Sequence, residues 1–113
     1  MPGQTVLIYQ STYRRKPFLD WLEALKDRQA RARIRTRINR LALGNVGDHR
    51  ALEGGIVELR IDWGPGYRVY FARAGNAILL LLCGGDKATQ QRDIEHAKTY
   101  FQDYKARAAK RGV

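Results

Sequence analysis

The sequence predicts an α+β domain: a small, mostly antiparallel sheet of about four strands, two N-terminal helices packed on it and a C-terminal helix, in the order β-α-α-β-β-β-α. Three observations carry this. Residues 56 to 82 read as three strands joined by two short reversals, residues 17 to 43 hold two stretches with apolar residues at helical spacing, and Ile94, Ala97, Phe101, Tyr104 and Ala108 form a further apolar stripe. A chain of 113 residues is long enough for one core and too short for two, so residues 1 to 113 are expected to form a single domain.

Taken in order, Thr5 to Tyr9 is rich in β-branched and aromatic residues and reads as a short strand, placed at a sheet edge. Pro17 suits the first position of a helix running to about Asp27, with Phe18, Trp21, Leu22 and Leu25 on one face. A second helix spans 28 to 43, where Ala30, Ile34, Ile38 and Leu41 make the stripe that should pack on the sheet. Gly44 ends it, and residues 45 to 50, including His49, read as a loop. From Ile56 to Asp62 the residues alternate, with Val57, Leu59 and Ile61 inward and Glu58, Arg60 and Asp62 outward, the period of a half-buried strand. Gly64-Pro65-Gly66 supplies the backbone freedom and the fixed φ of a tight reversal, so Tyr67 to Arg73 should return at once. After the turn at Ala74-Gly75-Asn76, the unbroken apolar run 78 to 82 suits a central strand covered on both faces. Residues 84 to 89 are expected as a mobile loop with Thr89 capping the last helix, and the basic tail 106 to 113 is expected to fray.

The formal net charge is +10, from 21 Lys and Arg against 11 Asp and Glu. Such a field favours nucleic acid or an acidic protein as partner. No run approaches the roughly 20 apolar residues of a membrane span, and the N-terminus lacks the pattern of a signal peptide, so the expected location is cytoplasmic. The one cysteine, Cys83, reads as a small buried hydrophobe. His49 and His96 stand at no ligand spacing from each other or from Cys83, so neither a metal nor a cofactor is expected.

Six arginines, Arg28, Arg31, Arg33, Arg35, Arg37 and Arg40, occupy the second helix without an acidic residue and flank its apolar stripe on both sides. They can be read as snorkelling side chains that cover the core edge, or as a surface for RNA phosphates or an acidic partner. On the second reading Arg33, Arg37 and Arg40 are the candidate RNA contacts, joined by Arg60 and Tyr70 on the sheet. The chain has no Walker loop and no supported Ser/His/Asp set. What remains is a basic and aromatic cluster: Arg60, Tyr67, Arg68, Tyr70 and Lys87. Arginine can grip a phosphate bidentately and stabilise added negative charge, and RNA brings its own 2′-OH nucleophile. Tyr67 and Tyr70 alternate with Arg68, so packing is the blander role for at least one tyrosine.

The element order, with Glu58-Leu59-Arg60, Gly66-Tyr67-Arg68-Val69-Tyr70 and Gly84-Gly85-Asp86-Lys87, resembles toxins of the RelE/ParE superfamily over nearly the whole chain. The likeness is greatest to its Gp49-like, HigB-related addiction-module killer branch. That resemblance implies the toxin of a bacterial type II toxin–antitoxin module, neutralised by a cognate helix-turn-helix antitoxin that also represses the operon. Many RelE-like members are metal-independent endoribonucleases, mRNA interferases that cut mRNA on the ribosome and stop translation. ParE-like members instead inhibit DNA gyrase by protein binding, and a nontoxic RNA-binding or regulatory module is a third reading.

By resemblance, Arg68 matches the arginine that contacts the scissile phosphate, and Lys87 stands where relatives place a second cation. Relatives with strong nuclease activity carry lysines on the strand before the hairpin, where this chain has Ile56, Glu58 and Arg60. Arg60 is the candidate substitute, and the general base is unassigned. His96, early in the last helix, is the remaining catalytic candidate, its plain alternative being a solvated helix residue. The antitoxin is expected to lay an acidic segment over the basic helix and the hairpin.

Overall fold

The structure, a computed structural model, describes residues 3–111. Five strands form one mixed sheet in the order β1-β5-β4-β3-β2, with β1 Thr5–Ile8, β2 His49–Ala51, β3 Ile56–Ile61, β4 Tyr67–Gly75 and β5 Ile78–Asp86. β1 lies at an edge, as expected, but runs parallel to β5, while every other neighbouring pair is antiparallel. The fifth strand is β2, cut from the stretch read as a loop. Its three exposed residues pair with Val57 to Leu59 and present no apolar alternation for a sequence reading to find.

Helix α1, Pro17–Ala24, starts on its proline and ends three residues short of the expected Asp27. Asp27 is taken instead as the N-cap of α2, Arg28–Ala42, where its Oδ1 accepts from the amides of Gln29 (2.9 Å) and Ala30 (3.2 Å). A cap of this kind stabilises a helix by ~1 kcal/mol. The α1 and α2 stripes cover one face of the sheet, burying Phe18, Leu22, Ile34 and Leu41 against Leu59, Val69, Phe71 and Leu79. Each such side chain contributes about 1.5–3 kcal/mol when fully buried.

Helix α3, Gln90–Arg111, covers the other face, with Ala97 and Phe101 packed on Ile56, Tyr70, Leu80 and Leu82. Two expectations fail here for one reason. β3 is not half-buried, because α3 closes its second face over Glu58, which is 0 % exposed. Nor is residues 84 to 89 a free loop: β5 continues through Asp86, and a 3-10 turn at Lys87–Thr89 leads straight into α3. Asp86, not Thr89, supplies the carboxylate cap, accepting from the amides of Ala88 (2.9 Å) and Thr89 (3.2 Å). Gly84 and Gly85 allow this close packing, since a Cβ on the first would collide with the Trp21 ring and on the second with the Asp93 carboxylate. The basic tail is helical through Arg111, while Gly112 and Val113 lie outside the described residues.

Candidate functional site

The α3 face of the sheet carries its chemistry in two rows of residues set side by side by strand register. One row runs Arg60, Arg68, Gly85 and the next Arg50, Glu58, Tyr70, Cys83. Directly paired residues share a face, as do residues two apart on a strand, so both rows lie on the side of the sheet that α3 packs against, with Arg50 and Arg60 at its exposed margin.

Glu58 is the centre of the second row. Its Oε2 accepts from Tyr70 Oη (3.1 Å) and Gln90 Nε2 (2.8 Å). Arg68 Nε lies 3.7 Å from Oε2 and Arg50 Nη2 3.4 Å from Oε1. Both are ion-pair separations too long or too poorly aligned for hydrogen bonds, and Glu58 Oε1 and Arg68 Nε are buried without one. A carboxylate removed from water must be compensated by charge and hydrogen bonds, and this one has two guanidinium groups, a phenol and an amide.

Arg68 is thereby held at the hairpin. Its Nη1 donates to Gly66 O (2.6 Å), and its side chain is 13 % exposed. Gly66 has φ +81°, and a Cβ there would sit 3.1 Å from Arg68 Nη1 and 3.5 Å from Lys87 Cβ. The glycine therefore serves both the turn and the close approach of two cationic residues. Arg68 Nη1 and Lys87 Cβ flank Gly66 at the end of β4 and β5, and the Lys87 side chain is exposed.

The other expected site residues divide. Arg60 faces Arg68 across the β3–β4 ladder, but its Nε and Nη2 both donate to Asp48 Oδ1 (3.1 and 2.7 Å). Arg37 is not a free RNA contact: it donates to the carbonyls of Arg60 (2.6 Å), Val46 (3.0 Å) and Asp48 (3.0 Å), tying the β2 approach to α2. Burial lowers its pKa from the ordinary arginine value. Arg33 stacks over the Trp63 ring, 3.8 Å from its centroid, and Arg40 is exposed. Both line a shallow cleft of ≈ 460 Å³ between α2 and the end of β3. Tyr70 offers no ring to RNA, being 0 % exposed, and burial and the neighbouring Glu58 raise its pKa well above the usual phenol range. His96 is exposed on α3 with its ring 6.0 Å from Tyr100, which stacks on Tyr9 beside β1, so its contacts lie on the β1 side of the helix.

Sequence reading missed Glu58, Gln90, Arg50 and Asp48 as participants. One signal was available: the apolar stripe on α3 needs a sheet face to cover, so the outward side of β3 could not have been solvent.

Fold and site together define a small basic α+β domain in which cationic side chains gather at one open end of the sheet. The chain belongs to the family described as phage derived protein Gp49-like (DUF891), whose model matches residues 20–109. That family is associated with toxin–antitoxin systems and RelE-like proteins. A protein of Haemophilus influenzae (strain ATCC 51907 / DSM 11121 / KW20 / Rd), carrying the description "Uncharacterized protein", is 50% identical over 86 residues, which are 76% of this chain and 87% of that protein. Among the described residues, no helix is long and apolar enough to cross a membrane.

Proposed function

We propose that this chain is the toxin of a type II toxin–antitoxin module and acts in the cytoplasm as an mRNA interferase of the HigB-related branch. The observation that carries the reading is the placement of the Arg68 guanidinium and the base of the Lys87 side chain on either side of Gly66. A phosphate seated at that open end would meet a guanidinium already oriented by Gly66 O and Glu58, together with the exposed Lys87 from the turn that follows β5. Orientation before the substrate arrives is what makes such a cation useful in a transition state that gains negative charge. The partners are mRNA on the ribosome and a helix-turn-helix antitoxin whose acidic segment shields the exposed arginines of α2 and the hairpin.

The test is expression without the antitoxin. Growth arrest with new mRNA ends is the expected result, and Arg68→Ala should abolish both while leaving the circular dichroism spectrum unchanged. A folded Arg68→Ala protein that remains equally toxic removes the role assigned to this arginine.

One observation favours a second reading. Tyr70 and Cys83, the titratable neighbours in the Glu58 row, are both shifted towards their protonated forms, Cys83 to about 12 by burial. Neither is suited to accept a proton near neutrality. A toxin that inhibits DNA gyrase by binding needs no such group. Inhibition of supercoiling with mRNA left intact would favour that reading over cleavage.

A further inference from the structure

We propose that the open edge of β1 is a docking site for an extended, acidic segment of a partner protein, which adds to the sheet as a sixth strand. β1 pairs with β5 alone. The amides of Thr5 and Tyr9 donate inward, to Ala77 O (2.7 Å) and Leu81 O (2.9 Å). Alternation along a parallel ladder therefore turns the backbone groups of Val6 and Ile8 outward. On the same side the Gln4 amide is already closed by Ala42 O at the foot of α2 (2.7 Å). The unpaired stretch is thus short and has a definite start.

Apolar exposure concentrates on this edge. The exposed large hydrophobic side chains among the described residues are Leu7 (39 %), Tyr13 (88 %) and Leu43 (80 %). Leu7 is in β1, Tyr13 is in the turn that follows it, and Leu43 Cδ2 lies 4.0 Å from where a Cβ on Gly3 would stand. Between β1 and the C-terminal half of α3 runs a cleft of ≈ 760 Å³, with Leu7, Leu80, Tyr104 and Ala108 in its walls beside Arg14 and Arg107. Natural sheets cover or charge an edge that must stay free, and a strand edge bordered by leucines is the arrangement that accepts an added strand.

Charge selects the occupant. Arg14 lines the cleft without an ion pair among the described residues, and Arg73 reaches the start of the edge, donating to Gln4 Oε1 (3.1 Å), while Arg107 is already bonded to Gln10 O (2.6 Å) and paired with Asp103. The nearby carboxylate of Asp103 is already engaged by Tyr9 Oη (2.6 Å) and Arg107 Nη2 (2.8 Å). A second copy of this chain would bring +10 against +10, whereas a strand that alternates apolar and acidic residues matches both the leucines and the arginines. This site is on the sheet edge away from Arg68 and does not rest on the nuclease reading.

The probe is a short synthetic peptide alternating valine with glutamate, compared with its valine–lysine counterpart by fluorescence anisotropy on the full chain. Only the glutamate peptide is expected to bind saturably. In its complex the Val6 and Ile8 amides should exchange with deuterium about tenfold more slowly. Leu7→Glu and Leu43→Glu, both at exposed positions that spare the core, should each weaken binding about tenfold. Binding that leaves Val6 and Ile8 exchange unchanged would overturn the proposal, as would equal binding of the lysine peptide or no binding of either. Loss of the peptide in Arg68→Ala with retention in Leu7→Glu would move it to the phosphate site. A dimer that Leu7→Glu dissociates would give the edge to a second copy.

Discussion

Replacing Glu58 with leucine measures how firmly the buried carboxylate holds the site. The substitution removes the acceptor of Tyr70 Oη and Gln90 Nε2 and the counter-charge 3.7 Å from Arg68 and 3.4 Å from Arg50. Deleting one member of a buried ionic group typically costs ~3–5 kcal/mol, because the partners stay behind uncompensated. Here Arg50 is half exposed and can recover water, while the Tyr70 hydroxyl and Arg68 Nε are buried and cannot. The expected loss is therefore at the lower end, ~3 kcal/mol. At ~4 °C per kcal/mol for a domain near this size, the melting temperature should fall by ~12 °C. Glu58→Gln keeps an acceptor oxygen for Tyr70 and Gln90 but loses the charge and turns an amide donor towards Arg50, which is half exposed and can recover water, so it should cost ~1–2 kcal/mol. Urea unfolding followed by circular dichroism, with an unchanged m-value, gives both numbers. If the leucine variant melts within ~4 °C of the parent, equivalent to about 1 kcal/mol, Glu58 is not what anchors Arg68.

Two further outcomes follow from groups near the site. Burial raises the Cys83 thiol to about 12 from 9.0. The folded state therefore holds the proton more tightly, and this contribution is complete below pH 9 and lost as pH rises towards 12. A three-unit shift corresponds to something on the order of 4 kcal/mol. Urea midpoints between pH 8 and 12 should fall, and fall less steeply in Cys83→Ala; an identical slope in the two proteins would contradict the assignment. Arg37→Ala removes three charged-donor bonds to carbonyls and should cost ~2–3 kcal/mol, whereas exposed Arg40→Ala should stay within ~0.5 kcal/mol. Thermal melts of the pair check this, and equal melting temperatures would make Arg37 a surface arginine after all.

The elements that the sequence made legible are those whose signal is local. Pro17, the alanine and isoleucine stripe of α2, the Gly64-Pro65-Gly66 reversal and the apolar run of β5 each announce one element through spacing or backbone restriction, and each is found in place. Elements that depend on a distant partner were not legible. β2 has three exposed residues and becomes a strand only because β3 lies beside it. Glu58 alternates with apolar neighbours as a solvent-facing residue would, and its burial is decided by α3, whose first residue is more than thirty positions later. The same dependence separates the arginines of α2. Nothing in their spacing tells Arg37, committed to three carbonyls, from Arg40, which is exposed.

Carboxylates, more than the count of cations, decide what the sheet end can hold. Arg60 is matched by Asp48 and Arg68 by Glu58, while Lys87 makes no ion pair among the described residues. A phosphate approaching Arg68 must therefore compete with Glu58. That competition is mild, because the contact it would loosen is a 3.7 Å ion pair and not a hydrogen bond, and because Tyr70, Gln90 and Arg50 would still compensate Glu58. The carboxylate can thus orient Arg68 without holding it so strongly that an anion could not displace the pairing. A lysine at position 58 would add positive charge beside Arg68 and lose this orientation; a glutamate gives up part of the field and gains a fixed guanidinium. On the proposed phosphate-binding reading, Glu58 would trade attraction for alignment at Arg68, and Lys87, without an ion pair among the described residues, would be the charge left to draw an anion in.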